Sequence, residues 1–178
     1  WNQGTVQDFY NIIKLMREDS FFDGIRICGG NTLNCDEALK WYNQLKEYLD
    51  EGNTHQLAGG FNTYAGFFTQ VKKDGNHGTA DELHNVMEAM VGVEYGMQTG
   101  IWWGFEGLAR GEFCRASFGD RLAYAEDRTH WSAASVYRNN KENKVQAFLG
   151  TSERQANNSS YRFISTDREV FFDGYGPV

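Results

Sequence analysis

Val6, Phe9, Tyr10, Ile13 and Met16 recur every three or four residues, the spacing that gathers side chains on one face of a helix. Thr5, with Asp8 three positions on, supplies a cap, so the pattern predicts a helix over 5–18 followed by a turn at Asp23-Gly24. Ile25 to Cys28 then predicts a strand running into Gly29-Gly30-Asn31, and Asn34 with Glu37 opens a second helix through Ala38, Trp41, Leu45 and Tyr48 to Gly52. The layout repeats. His55 to Ala58 predicts a strand, Gly59-Gly60-Phe61-Asn62 a loop, and Tyr64, Phe67, Phe68 and Val71 a helix ending near Gly75. A strand-to-strand spacing of about 30 residues is the size of a βα unit in a parallel sheet. The Gly-Gly pair after each strand suits either a tight turn or the close approach of a ligand to the backbone.

The stretch from Thr79 to Glu106 is the most strongly patterned. Thr79 with Glu82 matches a capping box, and Leu83, Val86, Met87, Met90 and Met97 follow on one face until Gly100, which predicts a helix over Thr79 to Gln98. Ile101 to Trp103 is short and apolar, as expected of a strand covered on both faces. Trp102 and Trp103 point to opposite faces of such a strand, so one faces a site while the other packs under a helix. Parallel α/β sheets carry their reactive groups at the carboxyl ends of the strands, here Trp102, Trp103 and Glu106.

Further on, Trp131, Ala134 and Tyr137 predict a last helix over Thr129 to Tyr137, and the polar run Asn139 to Lys144 marks a boundary. Beyond it the pattern changes to short β-rich runs, Val145 to Leu149, Tyr161 to Ser165 and Glu169 to Phe172. The organisation read from this is an α/β unit over 1–140 and the beginning of a β-sandwich-like unit over 141–178.

Composition narrows the function. The 24 acidic residues outnumber the 17 basic ones, giving a net charge of -7 with no basic block, so nucleic acid is not an expected partner. No apolar run is long enough for a membrane span, the first residues lack a signal-peptide layout, and the start at Trp1 without methionine suggests a piece of something larger. Cys28, Cys35 and Cys114 are too few and too scattered for a disulfide framework or a zinc site. His84 and Glu88 would share a helix face, but no third ligand is evident, so neither a metal nor another cofactor is expected.

Parallel βα units, a tryptophan-rich last strand at Gly100-Ile101-Trp102-Trp103-Gly104 and a trailing β-rich segment (Ser152 to Ala156, then Asp173 to Pro177) resemble the C-terminal half of a glycoside hydrolase (β/α)8 barrel of clan A, with the start of an accessory β-domain as in bacterial glycosidases. The resemblance implies a partial (β/α)8 barrel, an oligosaccharide or polysaccharide substrate, a missing N-terminal barrel half as partner, and a secreted or periplasmic location. It also implies a retaining mechanism, in which one carboxylate attacks and a second carboxyl group protonates the leaving group. The family's nucleophilic glutamate ends the seventh strand, ahead of the tryptophan strand, and its acid/base glutamate ends the fourth, before Trp1 here. Glu88 matches the nucleophile only if Leu83 to Glu88 is a strand, against the helix that the capping pattern predicts. The candidate catalytic residues are therefore Glu88, Glu106 and Glu82, with Trp102, Trp103, Asn31, Asn62 and His84 as substrate-binding candidates. Ordinary alternatives stand beside these: Glu82 as a helix cap, Glu88 and Glu94 as helix side chains, Glu106 as a loop carboxylate. A non-catalytic carbohydrate-binding or structural protein on the same scaffold, and a compact three-layer α/β domain of unrelated chemistry, are the rival classes.

Overall fold

The computed structural model describes residues 4–104, 107–152, 157–165 and 168–171. The chain is mixed α/β, with one parallel and one antiparallel sheet. Four parallel strands, β1 (Cys28–Gly29), β2 (Glu51–Asn53), β3 (His77–Leu83) and β4 (Met97–Trp102), lie side by side in chain order. Each is preceded by a helix: α1 (Val6–Glu18), α2 (Cys35–Leu45), α3 (Phe61–Lys73) and α4 (Val86–Tyr95). A fifth helix, α5 (Ala109–Ser117), leads to an antiparallel sheet of β5 (Asp120–Asp127), β6 (Ser132–Asn139) and β7 (Lys144–Thr151). The polar residues 140–143 are the turn between β6 and β7.

Helix α1 starts as the pattern indicates, with Thr5 and Asp8 bonding reciprocally as a capping box. Asn34 caps α2. In the Gly-Gly pairs Gly29 belongs to β1 and Gly60 precedes α3, while Gly30 and Gly59 take φ of +92° and +103°, and a Cβ on Gly59 would fall 2.5 Å from Asn34 Oδ1 and Cys35 Sγ, so only glycine fits there.

The helices sit close on the parallel sheet because its strands are bare where they cross. Gly29, Gly52 and Gly78 stand in register on β1, β2 and β3. A Cβ on them would meet Leu49 at 2.8 Å, Val71 at 2.7 Å and Phe68 at 3.2 Å. The missing strand volume is filled by Leu49, Tyr42, Phe68 and Val71, all buried. Burying such side chains contributes about 1.5–3 kcal/mol each. On the other side of α4, β7 comes so near that a Cβ on Gly150 would lie 2.9 Å from the Met87 backbone nitrogen.

Several expectations are corrected. Residues 77–83 are a strand and not the first turns of a helix. Thr79 lies between β2 and β4, which supply its backbone with partners on both sides, and this overrides a local match to a cap. The cap of α4 is Asn85 with Glu88. The second strand is Glu51–Asn53, so His55 to Ala58 follows it as a loop; Glu, Gly and Asn have low strand propensity, and pairing with β1 and β3 decides the matter. The first strand is the short Cys28–Gly29, and β3 intervenes before the tryptophan strand. That last strand is an edge of the sheet and is not covered on both faces, with Gln98, Thr99, Gly100 and Ile101 exposed. Thr129 to Tyr137 is not a helix. Ser132 to Asn139 is the central strand of the antiparallel sheet, where small residues let it pack under α4. Tyr161 to Ser165 and residues 169–171 form no strand.

Candidate functional site

Three of the parallel strands deliver polar groups to one place at their carboxyl ends. Asn31 follows β1, Asn53 ends β2 with His55 two residues on, and Asp81 and Glu82 lie near the end of β3. Asn53 Nδ2 donates to Asn31 Oδ1 at 2.7 Å, and Thr79 Oγ1 donates to Asn53 Oδ1 at 3.0 Å. This orients the Asn31 amide so that its oxygen faces the His55 ring.

His55 is the centre of the cluster and is buried. Its Nδ1 lies 2.6 Å from Glu82 Oε2, and its Nε2 bonds Asn31 Oδ1 and lies 2.8 Å from Asp81 Oδ1. A neutral ring in either tautomer would turn a lone pair toward a carboxylate at one of these distances, so the geometry fits the imidazolium, with both nitrogens protonated. Burial opposes the charge, but the Asp81 and Glu82 carboxylates outweigh it and raise the His55 pKa above its ordinary value. Burial likewise works against ionised Asp81, and the His55 and Asn53 side chains overcome it, holding Asp81 below the usual aspartate value. The other oxygen of Glu82 lies 3.4 Å from His84 Nε2.

An aromatic wall stands beside the carboxylates. The Trp103 indole is 64% exposed and stacks on the His84 ring, with centroids 6.2 Å apart and planes at 28°. Its backbone N–H donates to Leu83 O at 2.8 Å. Arg110 of α5 donates to the carbonyls of both His84 and Trp103, tying the ends of β3 and β4 together. Trp102 takes the other face: its Nε1 donates to Cys114 Sγ at 3.1 Å and the Arg110 guanidinium lies over its ring. One tryptophan faces outward and the other packs under a helix, as strand alternation requires.

The structure thus brings together Asn31, Glu82, His84 and Trp103. Asn62 is placed elsewhere, in the first turn of α3, where it accepts from Arg128 at 2.6 Å. Glu88 is 1% exposed and engaged with the helix start, accepting from the His84 backbone N–H at 2.8 Å and from Asn85 Nδ2 at 2.9 Å. The condition that would have matched Glu88 to the strand-ending glutamate is therefore not met: Glu88 lies in the first turn of α4, and the glutamate near the end of β3 is Glu82. Glu106 lies outside the described residues. His55, Asp81 and Asn53 were missed from sequence. Their signal was the strand assignment itself: with β2 and β3 in their observed places, all three fall at strand ends. Among the described residues no group of three or more potential ligands is arranged to hold a metal.

No protein-family model matches the chain, and no curated protein matches it in sequence.

Proposed function

We propose that the chain contributes half of the active site of a retaining glycoside hydrolase, with its four βα units forming the C-terminal half of a (β/α)8 barrel and Glu82 as the nucleophile. The observation that carries this is the order of the strand ends: a glutamate is the last residue but one of the third parallel strand, and an exposed tryptophan follows the fourth. The resemblance puts nucleophile and sugar-stacking tryptophan in that same order on the last two barrel strands. In this reading the indole face of Trp103 receives a sugar ring through its CH groups, and Asn31 and His84 bond its hydroxyls. Glu82 Oε2, aligned by His55, attacks the anomeric carbon. The general acid belongs to an earlier strand of the barrel and is supplied by the N-terminal half.

The test exploits that division of labour. A 2-deoxy-2-fluoroglycosyl fluoride loses fluoride without needing a proton from a general acid, and its C2 fluorine slows hydrolysis of the glycosyl-enzyme. Incubation with the gluco, galacto, manno and xylo reagents should add one glycosyl group to the peptide containing Glu82, read by mass spectrometry after digestion. Labelling at another carboxylate, or none with any reagent, overturns the assignment.

A second reading, a carbohydrate-binding protein without catalysis, is favoured by one observation: both oxygens of Glu82 already face imidazole nitrogens. Calorimetric binding of oligosaccharides without any labelling would select it.

A further inference from the structure

Asp81 has no part in the reaction just described, yet its carboxylate is paired with the same imidazole that holds Glu82. We propose that Asp81 is a positioning residue for Glu82, acting through His55: by pairing with the Nε2 side of the ring it keeps Nδ1 a hydrogen-bond donor aimed at Glu82 Oε2. This rests on the hydrolase reading above.

The number of protons on the ring decides which way it can donate. His55 faces acceptors on both nitrogens, Glu82 Oε2 at 2.6 Å on one side and Asp81 Oδ1 at 2.8 Å with Asn31 Oδ1 on the other. The ring has two protons to give only as the imidazolium. With one proton it must choose, and if the proton stays on Nε2 the Nδ1 lone pair points at Glu82. The nucleophile then loses its alignment and gains a repulsive neighbour. Two negative charges flanking a buried ring hold the second proton in place; a single one would hold it less firmly.

The charged groups facing the ring are Asp81 and Glu82, both on β3. The neutral Asn31 amide, just after β1, faces Nε2 of the ring; the Cys28 thiol of β1, 3.7 Å from Thr79 Oγ1, feels the Asp81 charge, and its own pKa is raised, chiefly by burial. His84 stands at the other oxygen of Glu82. Asp81 itself is held by the Asn53 side chain as well as by His55, so its carboxylate has a second anchor at the end of β2 and does not follow the imidazole if the ring turns.

The test uses the whole chain and the isosteric variant Asp81→Asn. Two quantities are followed against pH: the His55 ring signals by NMR, and the rate at which the effective 2-fluoroglycosyl fluoride labels Glu82. In the unmodified chain the alkaline fall in labelling should share its midpoint with the His55 titration. In D81N both midpoints should move down together, with labelling on the alkaline side about tenfold slower, the effect of a one-unit displacement. A merely structural role would lower the rate at every pH and leave the midpoint in place. Labelling of Glu82 whose alkaline midpoint does not move in D81N overturns the role and leaves the hydrolase reading standing. No labelling in the unmodified chain at any pH overturns the hydrolase reading and this role with it. Should D81N melt early, the unmodified chain still decides: an alkaline limb separated from the His55 titration overturns the proposal.

Discussion

The His55 ring and the Arg128 guanidinium are both held by glutamate and asparagine side chains, and the two clusters differ in where their partners come from. Arg128, just after β5, donates to Glu126 on that strand, to Asn62 on α3 and to Tyr95 on α4, and its guanidinium lies 5.5 Å from the Phe61 ring centroid and 5.6 Å from that of Tyr95. Tyr95 and Tyr124 donate in turn to Glu126. Three elements from both layers converge there, and the groups named saturate one another. Around His55 the partners come from neighbouring strand ends of a single sheet, and the fixed carboxylates lie beside an exposed indole. One cluster joins layers, and the other presents chemistry at an open end. Burial and hydrogen bonding alone do not tell such clusters apart; the origin of the partners does.

Substitution should separate the two clearly. Glu82→Gln should abolish covalent labelling, since an amide forms no glycosyl ester, and should also lower the thermal midpoint, because it removes one of the two carboxylates paired with the buried His55 ring. Trp103→Ala should weaken oligosaccharide binding about tenfold or more, as the loss of an exposed aromatic anchor does, without a stability cost because the indole is mostly in solvent. Calorimetry and melting curves on the same samples check both.

Effects on stability alone should come from elsewhere. Glu88→Ala removes a buried acceptor from the His84 N–H and breaks the cap of α4; the expected loss is about 2 kcal/mol in denaturant unfolding. Arg128→Ala should cost less, about 1 kcal/mol, because its side chain is 44% exposed and solvent screens the pairing. If Arg128→Ala instead abolished sugar binding, the contrast between the clusters would fail.

The smallest effect is in pH. His55 has a pKa raised in the folded chain above its ordinary 6.5, so the stability it contributes is fully present below that value and is lost as pH rises through the folded pKa. Asp81 has the opposite sign: lowered from 3.8, it stabilises above that value and the contribution disappears as pH falls through its folded pKa. Unfolding free energy against pH should therefore decline at both ends, and His55→Gln should remove the neutral-to-alkaline decline while Asp81→Asn removes part of the acidic one.

Much of the helical layer was legible in the chain because amphipathic spacing and Asn or Thr caps act locally: α1, α2 and α3 lie where Ile13, Leu45, Phe67 and Phe68 indicate. The strands were not, since Cys28–Gly29 and Glu51–Asn53 are too short and too rich in glycine to signal themselves, and their extended form depends on neighbours far along the sequence. The candidate site inherited that error. Asn31, Glu82, His84 and Trp103 could be named from local pattern, whereas His55 and Asp81 acquire meaning only once β2 and β3 are in register. Glu88 was misleading for a physical reason: a capping glutamate and a strand-ending glutamate both stand at the edge of an apolar run.

Because Gly29, Gly52 and Gly78 lend their space to side chains of the helix layer, change in this part of the molecule has a direction. Gly52→Ala alone drives a Cβ into Val71 and Tyr42, at 2.7 Å and 3.0 Å, whereas Val71→Ala alone leaves only a cavity, costing about 1–3 kcal/mol. Made together the two should cost less than the sum of the single changes, a coupling that a double-mutant cycle would measure. A lineage could thus thicken these strands only after thinning the helices, and each such step, once taken, would close the way back through the glycine.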